Sequence, residues 1–138
     1  MSASDQAREL LTRLYDSFGS GDPSAWTENV ADDVVGIGSD PGEWWEGRDI
    51  VSRVGTEQVK QMSAAGIKLR PGAAQVFSAG DVVWAVDQPT IELPDGSTVP
   101  MRFTLVTTQH DGRPIIRHFH LSAGASNQEV LGEDLPTR

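Results

Sequence analysis

Asp87 and Arg102 are the residues whose types and spacing most directly suggest chemistry. If Asp95-Gly96 makes a two-residue hairpin turn, Pro94 stands opposite Ser97, and counting back sets Asp87 opposite Thr104 with Arg102 diagonally adjacent. A guanidinium there would bind a carboxylate or enolate of a ligand, with Asp87 orienting it. The same two residues also read as an ion pair satisfied across two strands, which by itself says little about function.

His118 and His120 are two apart, so an extended strand puts both rings on one face. They read as an acid/base pair titrating near neutrality, or equally as interface histidines with hydrogen-bonded rings. A second two-residue turn at Asp111-Gly112 pairs His110 with Arg113, Thr104 with Phe119, Phe103 with His120 and Leu105 with His118. By this count one face carries Asp87, Arg102, Thr104 and Phe119, and the other Trp84, Phe103, Leu105, His118 and His120. The first is the expected pocket wall. His120 stands as a second candidate proton carrier and His118 as a ligand contact.

Trp44 and Trp45 lie side by side in "DPGEWWEGRD", among acids, glycine and proline. The Pro41-Gly42 pair and Gly47 predict a loop, so the two indoles are expected over a pocket mouth, one turned inward as apolar wall. They also read as a staple to the next helix and a subunit contact. Trp26 serves as core or as ligand platform, Tyr15 is a further polar candidate, and Asp40 is the nearest carboxylate to the preceding strand.

Elements that would position these residues follow from the pattern. Ala7, Leu10, Leu11, Leu14 and Phe18 keep one helical face behind a Ser2-x-x-Asp5 start, and Gly19 and Gly21 end it. Asp22-Pro23 opens a short second helix bearing Trp26 and Val30. "VVGIG" at 34–38 reads as a strand. From Asp49 to Ala65, Val51, Val54, Gln58, Met62 and Ala65 form a stripe that Gly66 closes. Beyond Ile67, β-branched and aromatic residues with two turn signals predict an antiparallel meander.

Helices first and strands afterwards define an α+β class, a curved sheet covered on one face by three N-terminal helices and leaving a central pocket. Apolar groups on both sheet faces point to a homodimer through the outer face. One domain over 1–138 is expected, its ordered core about 4–127 and the tail after Asn127 weakly ordered.

Composition narrows the functions. Twenty acids against eleven bases give a net charge of −9, which repels phosphate backbones and anionic lipid, so neither nucleic acid nor membrane is an expected partner. There is no cysteine, and hence no thiolate chemistry or sulfur-ligated metal. The start lacks the pattern of a secretory signal, which makes the cytoplasm the expected location. No phosphate loop, dinucleotide fingerprint or nucleophile elbow occurs, and no carboxylate accompanies the two histidines, so neither cofactor nor metal is expected.

The succession "GDPSAW", "ADDVVGIG", "GSDPGEWWEGRD", "LPDGSTVPMRFT" and "RHFHLSAG" resembles the nuclear transport factor two-like superfamily, in its SnoaL-like branch, through about Asn127. That resemblance implies a cone-shaped barrel with a deep pocket, usually dimeric through the outer sheet face. Its members include ketosteroid isomerases, cyclases, dehydratases and an association domain of a kinase. The isomerases' general base would fall at Gly38, where no base exists, and their first-helix tyrosine at Leu14, one position before Tyr15. The implied function is therefore binding of a small apolar carbonyl or carboxylate compound. It is accompanied by cofactor-free isomerisation, cyclisation or dehydration, or else by a non-catalytic sensing or dimerisation role.

Overall fold

A computed structural model describes residues 1–138. Helix α1 (Ala3–Ser20) starts at the expected capping box, with the Ser2 hydroxyl accepting from Asp5 N–H at 3.0 Å and the Asp5 carboxylate accepting from Ser2 N–H at 3.3 Å. It ends on Gly21, whose left-handed φ of 79° lets its N–H return to the Ser17 carbonyl. Asp22 accepts from Ser24 N–H and opens the one-turn α2 (Ser24–Thr27). Helix α3 (Arg48–Ala64) lies within a residue of its expected limits. A fourth, α4 (Asn127–Leu131), stands in the tail and buries none of its residues. No helix is long and apolar enough to cross a membrane.

Eight strands make one curved, unclosed sheet: β1 (Val30–Ile37), β2 (Trp44–Glu46), β3 (Lys68–Arg70), β4 (Gln75–Ala79), β5 (Val82–Asp87), β6 (Thr90–Glu92), β7 (Thr98–His110) and β8 (Arg113–Ala123). The main path runs β2-β1-β8-β7-β5-β4. β6 pairs with the first part of β7 and carries β3 beyond it. The α+β class stands, but the sheet is mixed rather than purely antiparallel, because β1 runs parallel to β8. Helices α1 and α3 pack on its inner face, burying Leu14, Val34, Val51, Val59, Leu105 and Ile116 almost completely.

Two corrections to the expected register decide which residues face inward. Leu93 N–H bonds to the Ser97 carbonyl and Gly96 N–H to the Leu93 carbonyl, with Gly96 at φ 85°. The turn therefore holds three residues, a type I turn closed by a left-handed glycine, and not two. Asp87 pairs with Phe103 instead of Thr104, and every residue of β7 changes face relative to the count.

The second turn does hold two residues, Asp111 and Gly112, both at positive φ, and His110 pairs with Arg113 as expected. Arg117 is then an extra residue on β8. Thr107 pairs with Ile116 but Val106 with His118, so Leu105 meets Phe119 and Thr104 meets His120. The inner face carries Val83, Ala85, Asp87, Phe103, Leu105 and Phe119, and the outer face Trp84, Val86, Arg102, Thr104, His118 and His120.

The tryptophan segment is also a correction. Pro41-Gly42 form the turn of a tight hairpin, in which Gly38 N–H bonds to the Glu43 carbonyl and Glu43 N–H to the Asp40 carbonyl, each at 2.8 Å. Trp44 and Trp45 consequently sit on strand β2 rather than on a loop, paired with Ile37 and Gly36. Strand alternation sends them to opposite faces.

Candidate functional site

Between α3 and the inner face of the sheet lies a cavity of about 350 Å³, at the small end of ligand-binding cavities. Thirteen of its nineteen lining residues are hydrophobic, which makes it a place for an apolar body rather than for a highly solvated one. The α3 stripe supplies one wall: Val54, Gln58 and Met62, at four-residue spacing, look into the space instead of closing on the core. Trp26, Trp45 and Phe119 form an aromatic wall, with the Phe119 ring centroid 4.9 Å from that of Trp26 and 6.2 Å from that of Trp45. Phe119 fits there because Gly36 has no side chain; a Cβ at that position would intrude on the ring.

One ionisable side chain reaches this wall, that of Glu43. Its Oε2 accepts from Gln58 Nε2 at 2.7 Å, and its Oε1 accepts from Asp40 N–H at 2.8 Å. Both partners are neutral, so the carboxylate is oriented without being neutralised. It occupies the space a side chain on Gly38 would need: an ideal Cβ there would lie 2.8 Å from Glu43 Cβ, Cδ and Oε1. The carboxylate of a residue five positions on thus stands where a side chain at position 38 would be.

The residues expected to form the site divide among three places. Trp26, Trp45 and Phe119 line the cavity; Trp26 is also a core residue whose indole N–H is held by Ser17 Oγ at 2.9 Å. Tyr15 and Asp87 are inside the molecule but away from the cavity. The Tyr15 hydroxyl donates to Asp87 Oδ2 at 2.9 Å, Gly72 N–H donates to the same oxygen at 3.1 Å, and Gln88 N–H takes Oδ1 at 2.8 Å. Burial, with the Asp87 carboxylate beside it, pushes the Tyr15 phenol far above its ordinary value, so it stays protonated.

Arg102, Thr104, His118 and His120 are on the outer face: the register corrections carry Arg102 and Thr104 there, while the two histidines stay on the face the count gave them. The expected pairing of Asp87 with Arg102 does not form, since the sheet separates them; Arg102 and His120 are exposed. The His118 ring has Nδ1 2.7 Å from the Val35 carbonyl, an arrangement in which Nδ1 carries the proton, and lies 6.5 Å from the His120 ring. Trp44, 62% exposed, points away from the cavity. Asp40 is exposed, its Oδ1 accepting from Gly42 N–H at 2.7 Å to shape the turn. No group of three or more His, Asp and Glu side chains is close enough to hold a metal.

Sequence reasoning passed over Glu43 and gave Gln58 no chemical role. A polar residue in the middle of the apolar α3 stripe was a usable signal for Gln58. Glu43 becomes visible only once Trp45 is known to be on a strand and inward, because residues two apart then share a face.

A curved mixed sheet around a cavity, closed by N-terminal helices, defines a class, and the comparisons agree with it. A family model for the SnoaL-like domain matches residues 7–126, and the chain belongs to that family. An NTF2-like protein of unknown function from Pseudomonas putida KT2440 superposes with a TM-score of 0.80 at 20% identity, covering 99% of this chain and 95% of that one. An uncharacterised protein with a cystatin-like fold from Caulobacter vibrioides gives 0.75 at 18% identity, over 91% and 92%. A candidate ketosteroid isomerase from Shewanella frigidimarina NCIMB 400 gives 0.68 at 17% identity, over 85% and 94%. At these identities the likeness concerns the fold. No protein of curated function matches the chain.

Proposed function

We propose that this chain binds a small, largely apolar carbonyl compound in the cavity and moves a proton on it without a cofactor, Glu43 being the proton carrier. The observation that carries the reading is the Glu43 carboxylate, the sole ionisable group on an apolar wall, held by Gln58 where Gly38 leaves room. In such a reaction Glu43 takes a proton from the carbon beside the carbonyl, an enolate forms, and the proton returns to that carbon or to a conjugated one. Gln58 keeps the accepting oxygen in place. The likeness to a candidate ketosteroid isomerase supports the reaction class, not the substrate. Arg102 and His120 have no part in this reading, nor does Asp87.

The test is exchange of the α-protons of aryl-alkyl ketones into deuterated water, followed by NMR. The parent protein is expected to accelerate exchange, and Glu43→Gln to slow it by about 100-fold or more. Exchange at equal rates with the two proteins would remove Glu43 from the role.

A homodimer in the cytoplasm, formed through the outer sheet face, completes the proposal. The dimer is supported by the continuous cross-strand row Phe77-Trp84-Val106-His118-Val35. Phe77 and Trp84 stack with centroids 5.8 Å apart, and Phe77 is 44% exposed. That patch also favours the alternative reading, in which the outer face serves assembly and the cavity only senses a ligand. Trp84→Glu is expected to give a monomer in sedimentation equilibrium.

A further inference from the structure

The cavity has a charge sense that its lining residues state directly. Glu43 is ionisable and negative, and no Lys, Arg or His lines the space. Its two hydrogen-bond donors, the Asp40 amide and the Gln58 carboxamide, carry no charge, so the negative charge faces the cavity without a counter-ion. Trp26, Trp45 and Phe119 stand on the same wall, and aromatic rings attract cations within about 6 Å of their faces. The net charge of −9 adds a long-range field of the same sign. A ligand carboxylate entering here would meet one negative charge and no positive one.

We propose that the cavity takes a hydrophobic organic cation, an aryl-alkyl ammonium ion, with its nitrogen paired to Glu43 and its apolar body against the aromatic wall and the α3 stripe. This rests on the cavity being the binding site, but not on proton transfer. An ammonium group on Glu43 occupies the lone pairs that proton abstraction requires, so such an amine would inhibit ketone exchange rather than undergo it.

Three ligands of nearly equal shape separate the possibilities: 4-phenylbutylamine, 4-phenylbutan-2-one and 4-phenylbutyrate, titrated calorimetrically at neutral pH into the parent, Glu43→Gln and Gln58→Lys. The amine is expected to bind the parent at least tenfold more tightly than the ketone, and the carboxylate not at all. Glu43→Gln should bring the amine-to-ketone affinity ratio to about one, which distinguishes pairing with Glu43 from attraction by the overall charge. Gln58→Lys, which sets a cation beside Glu43, should abolish amine binding and admit the carboxylate; it also serves if Glu43→Gln does not fold. An amine advantage that persists in both variants, or a carboxylate that binds the parent as well as the amine does, overturns the inference. Ketone binding without amine binding overturns it while leaving the cavity reading intact, and silence from all three ligands overturns both.

Discussion

Tyr15 on α1 and Asp87 on β5 meet through a 2.9 Å hydrogen bond inside the protein, 72 positions apart in the chain and only 1% and 7% exposed. Because Gly72 N–H donates to the same carboxylate oxygen, one side chain ties the helix layer, the sheet and the segment between β3 and β4 together. Tyr15→Phe is expected to lower unfolding free energy by about 1–3 kcal/mol, since a buried carboxylate loses a donor. Asp87→Ala should cost more, because it strands both the phenol and the Gly72 amide. Urea denaturation with unchanged m-values measures both.

Tyr15 is the only tyrosine in the chain, so phenolate absorbance reports it alone. Its folded pKa lies well above the unfolded value of about 10, so folding favours the protonated form. The stability this contributes is complete below about pH 10 and is lost as pH rises above it toward the folded pKa. Phenolate absorbance should therefore appear together with the loss of far-ultraviolet circular dichroism, not before it. Ionisation at about pH 10 in a still-folded protein would contradict the buried placement.

Gly38 is required by its neighbour rather than by its backbone. Gly38→Ala should leave the fold intact but displace the Glu43 side chain, break its bond to Gln58, and weaken cavity function about as much as Glu43→Gln does. Adding Glu43→Gln to Gly38→Ala should then cost little more, as expected for two changes acting on one group. Additive losses in ketone exchange would show that Gly38 acts by another route.

Gly36 and Phe119 form a comparable pair on the cavity wall. Gly36→Ala pushes a methyl group into the Phe119 ring and should cost about 1–3 kcal/mol by overpacking. Shrinking the ring in Gly36→Ala/Phe119→Leu should recover part of that loss. A thermal-denaturation cycle over the four proteins reads the coupling.

Local signals carried most of the fold. The capping box at Ser2 and Asp5, the glycine stop at Gly21 and the α3 stripe were legible because each depends on neighbours a few residues away. The site was less so, for reasons of parity. Whether "PDG" holds two or three turn residues depends on Asp95 keeping a negative φ, unlike Asp111 at φ 50°, and the extra residue at Arg117 shows only in the pairing, which steps from Thr107–Ile116 to Val106–His118. Neither feature has a marker in the adjacent letters. Arg102 was consequently counted inward and Phe103 outward. Glu43 reaches the cavity only through the β1–β2 hairpin, whose proline and glycines read in the sequence as a plain loop.

The bulge at Arg117 makes the sequence of β8 behave like a two-position selector. Were β8 to pair with β7 without that bulge, Arg117 and the turn at Asp111-Gly112 both kept, His118 would stand opposite Leu105 and Phe119 opposite Thr104, presenting imidazoles to the interior and Phe119 to solvent. Loss of the Arg117 codon would instead close the bulge and keep Phe119 inward, so the oily lining outlasts that deletion, whereas pairing through Arg117 exchanges it for a basic one with every amino acid unchanged.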